Sequence, residues 1–489
     1  MLFNSLEFVV FFPIVTILYF LIPYKYRWLH LLIASCIFYM AFIPVYILIL
    51  FFTIIIDYFA GIMIEEAPGH KKKRFLILSI VANIGVLSVF KYYNFFIDNM
   101  NAVLNALHIQ HSMPLLNILL PIGLSFHTFQ AISYTIEVYR GNQKAERHLG
   151  IYALYVMYYP QLVAGPIERP QNIIAQFYQK HDFEYNRVVS GLKLMAWGMF
   201  KKVVIADRVA MFVTNVYDRP EQYDSAAIVF STFCFAIQIY CDFSGYSDIA
   251  RGASEVMGID LMKNFKQPYL SKNIAEFWNR WHMSLSTWFR DYIYIPLGGN
   301  RVSKGRLFFN LSVVFLLSGL WHGANWTFVV WGALHACFLI GYILWQQTRL
   351  HKVLLTKMPV RIHQITAWFI TLSVVCFAWI FFRAENISKA WILVKNVTNG
   401  WDVFITRIIH REGFMPYFIL GNLLKELVLT IVFVIVLFIV DYYGNKYQSL
   451  RSRISTLPLV YKWSLYYGVI VCIYCFGIFS RSGFIYFQF

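Results

Sequence analysis

The chain has 489 residues, of which 59% are hydrophobic, 19% aromatic and only 14% charged, against a charged share of about 25% in soluble domains. A water-soluble globule is excluded, and apolar blocks close to the about 20 residues that cross the hydrocarbon layer predict an all-α polytopic membrane protein. The 42 Lys and Arg exceed the 25 Asp and Glu by 17; in a membrane protein that surplus marks cytoplasmic loops and not a nucleic-acid footprint.

In chain order, the first apolar run, Phe8 to Ile22, lacks a basic region before it and a small-residue cleavage site after it, so it reads as a retained anchor. Further spans are expected at about 28–43, 45–63, 75–97, 115–138, 150–163, 226–241, 306–322, 325–346, 364–383, 415–441 and 463–480, all helical because backbone amides in lipid must be satisfied within their own segment. That is about 11–13 transmembrane helices. Lys25 and Arg27 follow the first span, Lys71 to Arg74 the third, and Arg140, Lys144 and Arg147 the fifth, while Asp98 to Pro114 carries neither Lys nor Arg. The amino terminus is therefore placed outside. The basic stretches Arg349–Arg361 and Lys446–Lys462 place the carboxyl terminus there too, although Ala384–Arg411, exterior on this scheme, holds Lys389, Lys395, Arg407 and Arg411.

The seven cysteines lie mostly inside apolar runs and give no disulfide framework; Cys472 and Cys475 form a CxxC within a span. Between about 165 and 305 the chain concentrates Pro, Gly, Asn and charge, including Asp242, Gly245, Asp248, Arg251 and Gly252. Polar irregular backbone at membrane depth must be buried in protein or line a wet cavity, so a central pocket is expected here. No internal repeat is evident, and the simplest organisation is one integral domain over 1–489, with a motif-dense core at about 120–345 and C-terminal helices over 364–489.

Two segments carry candidate chemistry. In Asn273 to Pro296, Asn273 and Glu276 resemble a capping box, and helical spacing puts Asn279, His282, Ser286 and Arg290 on a polar stripe flanked by Phe277, Trp281, Leu285 and Trp288. This pattern fits a helix beside a polar cavity, and equally an interfacial amphipathic helix without chemistry. In Ser318 to Trp331, His322 falls between two long apolar runs, with Gly319 and Gly323 four apart to allow close backbone approach. An ionisable residue there is a functional candidate; the alternative is a histidine bonded to a backbone carbonyl. A neutral imidazole accepts a proton from an attacking hydroxyl, a role that contributes about 10²- to 10⁴-fold in rate. No GxSxG elbow, HExxH, Cys/His cluster, P-loop or dinucleotide fingerprint is present, and His108 with His111 lies in an expected outer loop, so neither metal nor ATP is predicted.

The strings PIGLSFHTFQAISYTIEVYRG (121–141), YPQLVAGPIERP (159–170), CDFSGYSDIARG (241–252), PYLSKNIAEFWNRWHMSLSTWFRDYIYIPLGGNR (268–301) and SGLWHGANWTFVVWG (318–332) resemble the membrane-bound O-acyltransferase family, in its bacterial branch that includes the alginate O-acetylase membrane subunit. The terminal FIYFQF (484–489) agrees. The resemblance implies helices around a central funnel or tunnel, with interfacial and re-entrant segments. It puts the catalytic histidine at His322 and a second motif histidine at His282, with Asn279, Ser286, Arg290, Asp291, Trp321 and Asn325 as pocket residues. His127 stands where the family pattern leads one to expect Phe or Tyr.

The implied chemistry is attack of an alcohol on an acyl thioester, with acetyl-CoA as donor substrate, no permanently bound cofactor, and a bacterial inner-membrane location among membrane lipids. A periplasmic or extracellular SGNH-like partner is implied for delivery to an exopolysaccharide or cell-wall glycan, since no exterior segment of this sequence is large enough to hold a polymer. D-alanyl transfer to teichoic acid is the alternative within the family. A lipid or acyl-carrier transporter is the alternative outside it, although the paired broken helices of such proteins are not found.

Overall fold

The computed structural model describes residues 1–109, 112–117, 119–163, 165–409, 423–447, 450–479 and 484–485, and every regular element among them is helical. His111, Arg411, the start of the span expected at 415–441 and most of FIYFQF lie outside the described residues.

Among the described residues, 7 helices are long and apolar enough to cross a membrane: Pro44–Glu66, Gly69–Ala106, Ser225–Met257, Trp326–Gln346, Val360–Arg383, Lys425–Lys446 and Leu459–Phe476. Leu6–Leu21 is a shorter apolar helix. The protein is thus a multi-pass membrane protein. Other expected spans take different forms. The run at 28–43 is a 14-residue helix, Arg27–Met40, and 150–163 is two short pieces, Leu149–Met157 and Tyr159–Leu162, the second with Pro160 in its first turn. Hydropathy alone cannot distinguish such pieces, buried in protein, from spans facing lipid. Burial does: the most apolar window of Ser225–Met257 is 72% buried, so protein surrounds it, whereas that of Leu459–Phe476 is 0% buried and is offered to lipid.

The chain divides into two compact units, Met1–Met195 with Tyr246–Met262, and Ala196–Gly245 with Lys263–Phe489. In the first, Ile47–Glu66, Gly69–Leu87 and Leu124–Arg140 pack around Asp57, which is fully buried. Ser79 Oγ donates to its Oδ1 at 2.6 Å, and Asn83 Nδ2 lies 2.9 Å from both its oxygens. A carboxyl group inside a span is tolerable when its oxygens are satisfied in this way. His127 is buried on Leu124–Arg140. A Cβ on Gly252 would lie 2.5 Å from the Gly191 carbonyl oxygen, so the CDFSGYSDIARG glycine serves helix contact. Glu168 of the GPIERP string is also fully buried. It accepts from the Met262 amide and, at 2.7 Å, from Asn172 Nδ2, and burial pushes its carboxyl up to about 7.

The second unit is organised on the helix pair Lys304–His322 and Trp326–Gln346, against which Val360–Arg383 packs. The pair is close because two glycines face backbone: a Cβ on Gly319 would lie 2.2 Å from the Phe328 oxygen, and one on Gly332 2.4 Å from the Phe315 oxygen. The same unit holds a buried ionic knot. Lys202, in the π-helical turn Phe200–Ala206, lies 2.9 Å from Asp207 Oδ1 and 2.8 Å from Asp242 Oδ1. Asp242 Oδ2 in turn accepts from the Ile485 amide at 2.8 Å. Charges this deep require such partners.

Candidate active site

Asn273 caps its helix as the sequence predicts, its Oδ1 accepting from the Glu276 amide at 2.8 Å, while Glu276 reaches back to the Lys272 amide at 2.8 Å. The single helix expected from Asn273 to Pro296 is divided: Ile274–Arg280, Met283–Phe289 and a π-helical turn, Arg290–Tyr294. The break falls at His282, whose backbone is left-handed at φ 43°. Such a conformation costs a non-glycine residue about 1–2 kcal/mol and persists only where its surroundings fix it. Asn264 supplies that restraint, its carbonyl accepting from the Met283 amide at 2.9 Å and its Oδ1 from the Ser284 amide at 3.2 Å.

This break disperses the expected polar stripe. His282 is fully buried against Phe243, ring centroids 4.5 Å apart and edge-on. Asn279 and Arg290 are exposed. Arg290 Nε pairs with Asp291 Oδ1 at 2.8 Å with its own side chain 59% exposed, a setting in which an ion pair contributes about 0–1 kcal/mol. Ser286 Oγ donates to the Trp281 carbonyl at 3.1 Å. A helical period assigned across a left-handed residue puts later positions on the wrong face.

His322 is the last residue of its helix, closed by Gly323, where the negative end of the helix dipole favours a group able to carry positive charge. It is 4% exposed. Three aromatic rings wall it: Trp321 at 4.9 Å, Trp331 at 5.1 Å and Phe382 at 5.1 Å between centroids. Trp321 also lies 6.1 Å from the His282 ring, so the two motif histidines meet the same indole. Asn325 has a structural duty, capping Trp326–Gln346 by accepting from the Thr327 amide at 3.0 Å and donating to the Glu385 carbonyl at 2.9 Å.

The arrangement therefore brings His282, Trp321 and His322 together and leaves Asn279 and Arg290 on the surface. Sequence reasoning missed Phe243, Trp278, Trp331 and His335, which complete this interior. His335 carries the same signal as His322, an ionisable residue within an apolar run, and lies four residues after Trp331, on the same helix face.

A family model for the membrane-bound O-acyltransferase family matches residues 148–384, which contain all of these side chains. A probable alginate O-acetylase of Pseudomonas aeruginosa is 39% identical over 395 residues, covering 80% of this chain and 74% of that protein. The chain belongs to the membrane-bound O-acyltransferase family. As a member it is an enzyme, an O-acyltransferase, and the transporter reading falls away. Other family relatives include a peptidoglycan O-acetyltransferase of Helicobacter pylori, 36% identical with 76% of this chain and 73% of that protein covered. A teichoic acid D-alanyltransferase of Bacillus subtilis is 28% identical, covering 57% of this chain and 72% of that one.

Proposed function

We propose that this chain transfers an acetyl group from cytosolic acetyl-CoA to a hydroxyl of an extracytoplasmic polysaccharide, alginate-like or cell-wall, with His322 as general base. The observation that supports the reading is its similarity to relatives named as acetylating alginate and peptidoglycan, at 36–39% identity over 76–80% of the chain. The D-alanyltransferase relative is less similar over a shorter stretch, which favours acetyl over D-alanyl.

In the proposed step His322 takes the proton of the attacking hydroxyl, the hydroxyl oxygen bonds to the thioester carbonyl carbon, and the carbon–sulfur bond breaks. The thiolate then receives the proton, which returns the imidazole to its starting form. His282 positions this arrangement through Trp321, which both histidines contact. With only 4% of His322 exposed, an aromatic wall has to swing aside before the reactants reach it. The location is the bacterial inner membrane with both termini outside, and a periplasmic SGNH-like partner carries the group onward to the polymer.

The test uses membrane vesicles of known orientation loaded with acetyl-CoA labelled in the acetyl group. Label appearing on added partner or polysaccharide only when the donor is on the cytoplasmic face supports the reading. Transfer that is indifferent to the side of the donor, or that requires a D-alanyl thioester, contradicts it.

A further inference from the structure

Behind Trp331, in the second unit, His335 sits among aromatic rings. It is fully buried, and neither ring nitrogen has a hydrogen-bond partner in the protein. Its neighbours are Trp331 at 4.7 Å and Trp278 at 4.9 Å between centroids, and these two indoles lie 5.8 Å from each other. Both indole Nε1–H groups are buried and likewise lack a partner. Phe277 and Phe315 stack on the imidazole at 6.4 and 6.1 Å.

Leaving a buried polar group unsatisfied costs about 1–3 kcal/mol. A phenylalanine at position 335 would fill the same ring-lined space without that cost, so packing alone does not explain an imidazole here. Three unpartnered polar groups on three mutually touching rings match the number of partners one buried water takes, about 2–4. Two donor-only indoles and an imidazole that accepts at one nitrogen match its two lone pairs and one of its protons.

We propose that His335 is a positioning residue for acyl transfer: with Trp278 and Trp331 it forms a small polar site that holds a water-sized guest and fixes the indole of Trp331 against His322. The contact that transmits this is the edge-on meeting of Trp331 and His322. The inference rests on His322 being the base.

The experiment replaces the wild-type chain in its own cells by variants and measures base-labile acetate on the envelope polysaccharide at equal protein level, together with the melting temperature of each purified variant in detergent. His335→Phe is expected to melt at or above the wild-type temperature yet lose about tenfold or more of the acetate, within the about 10²-fold that a misplaced reacting group costs. His335→Gln, which keeps a donor and an acceptor, is expected to recover several-fold over His335→Phe. Acetate within twofold of wild type for His335→Phe, or no advantage of His335→Gln over it, overturns the proposal. If His335→Phe does not accumulate, His335→Gln against His335→Met gives the same comparison: equal acetate overturns the proposal, and an advantage for Gln supports it. His322→Ala is run in parallel. Full acetate there removes the base assignment and this inference with it, whereas loss there with an active His335→Phe removes this inference alone.

Discussion

The imidazole of His322 meets the indole of Trp331 edge-on, with centroids 5.1 Å apart and planes at 85°. Trp331 is fully buried and also touches Phe382 at 5.3 Å and Trp379 at 5.9 Å, so it links His322 to the Val360–Arg383 helix. Trp331→Ala is expected to destabilise by about 3–5 kcal/mol, the cost of an emptied aromatic site. Trp331→Phe should retain most of the stability but lose transfer, because the ring no longer reaches His322. Melting temperature and transfer rate, measured on both variants, check this.

The close approach of Lys304–His322 to Trp326–Gln346 depends on glycine where the other helix presents backbone. At Gly332 a methyl group would lie 2.4 Å from the Phe315 oxygen, which cannot rotate away. Gly332→Ala is expected to push the helices apart, costing about 1–3 kcal/mol and disturbing His322 and Trp331 together. Gly341→Ala on the same helix has open space around it and should be silent in the same thermal-shift measurement.

How much of this was legible follows from the kind of signal each residue leaves. His322 shows in the sequence because a lone histidine between apolar runs is conspicuous, and Gly319 because small residues mark helix contact, a contact the structure shows against the Phe328 backbone. His282 was visible as a residue, but its left-handed backbone is imposed by Asn264, eighteen positions earlier, and no local pattern announces it. A straight helical period therefore puts Asn279 and Arg290 on the histidine's face, whereas the structure leaves both exposed. Among the described residues, short buried pieces such as Leu149–Met157 are as apolar as the long helices, and only tertiary packing separates the two.

In the ionic knot, one cation serves two buried carboxylates. Lys202→Met leaves both without it, and breaking a buried pair in this way costs about 3–5 kcal/mol. Adding Asp207→Asn and Asp242→Asn to Lys202→Met should recover much of that loss, which denaturation of the single and triple variants would reveal; a triple variant no more stable than the single one would show that the charges are not the cause.

Glu168 gives a pH dependence with a definite sign. Its carboxyl is raised from 4.5 to about 7 in the folded protein by burial, against the opposing hydrogen bonds from Met262 and Asn172, with Asp260 raising and Arg251 lowering it further. The folded state therefore binds the proton more tightly than the unfolded one. This contribution to stability is fully present below about 4.5 and is lost as pH rises through about 7. It amounts to about 3 kcal/mol at most. Melting curves of Glu168→Gln between pH 5 and 8 should fall less steeply than those of wild type; parallel curves would contradict the assignment.

The most direct measurement of the central claim is thioester cleavage and acetyl transfer by purified His322→Ala, compared with the wild-type chain at equal melting temperature, using labelled acetyl-CoA. A general base at this position predicts a drop of about 10²- to 10⁴-fold with the fold intact. A folded His322→Ala protein that transfers acetyl at the wild-type rate would contradict the account.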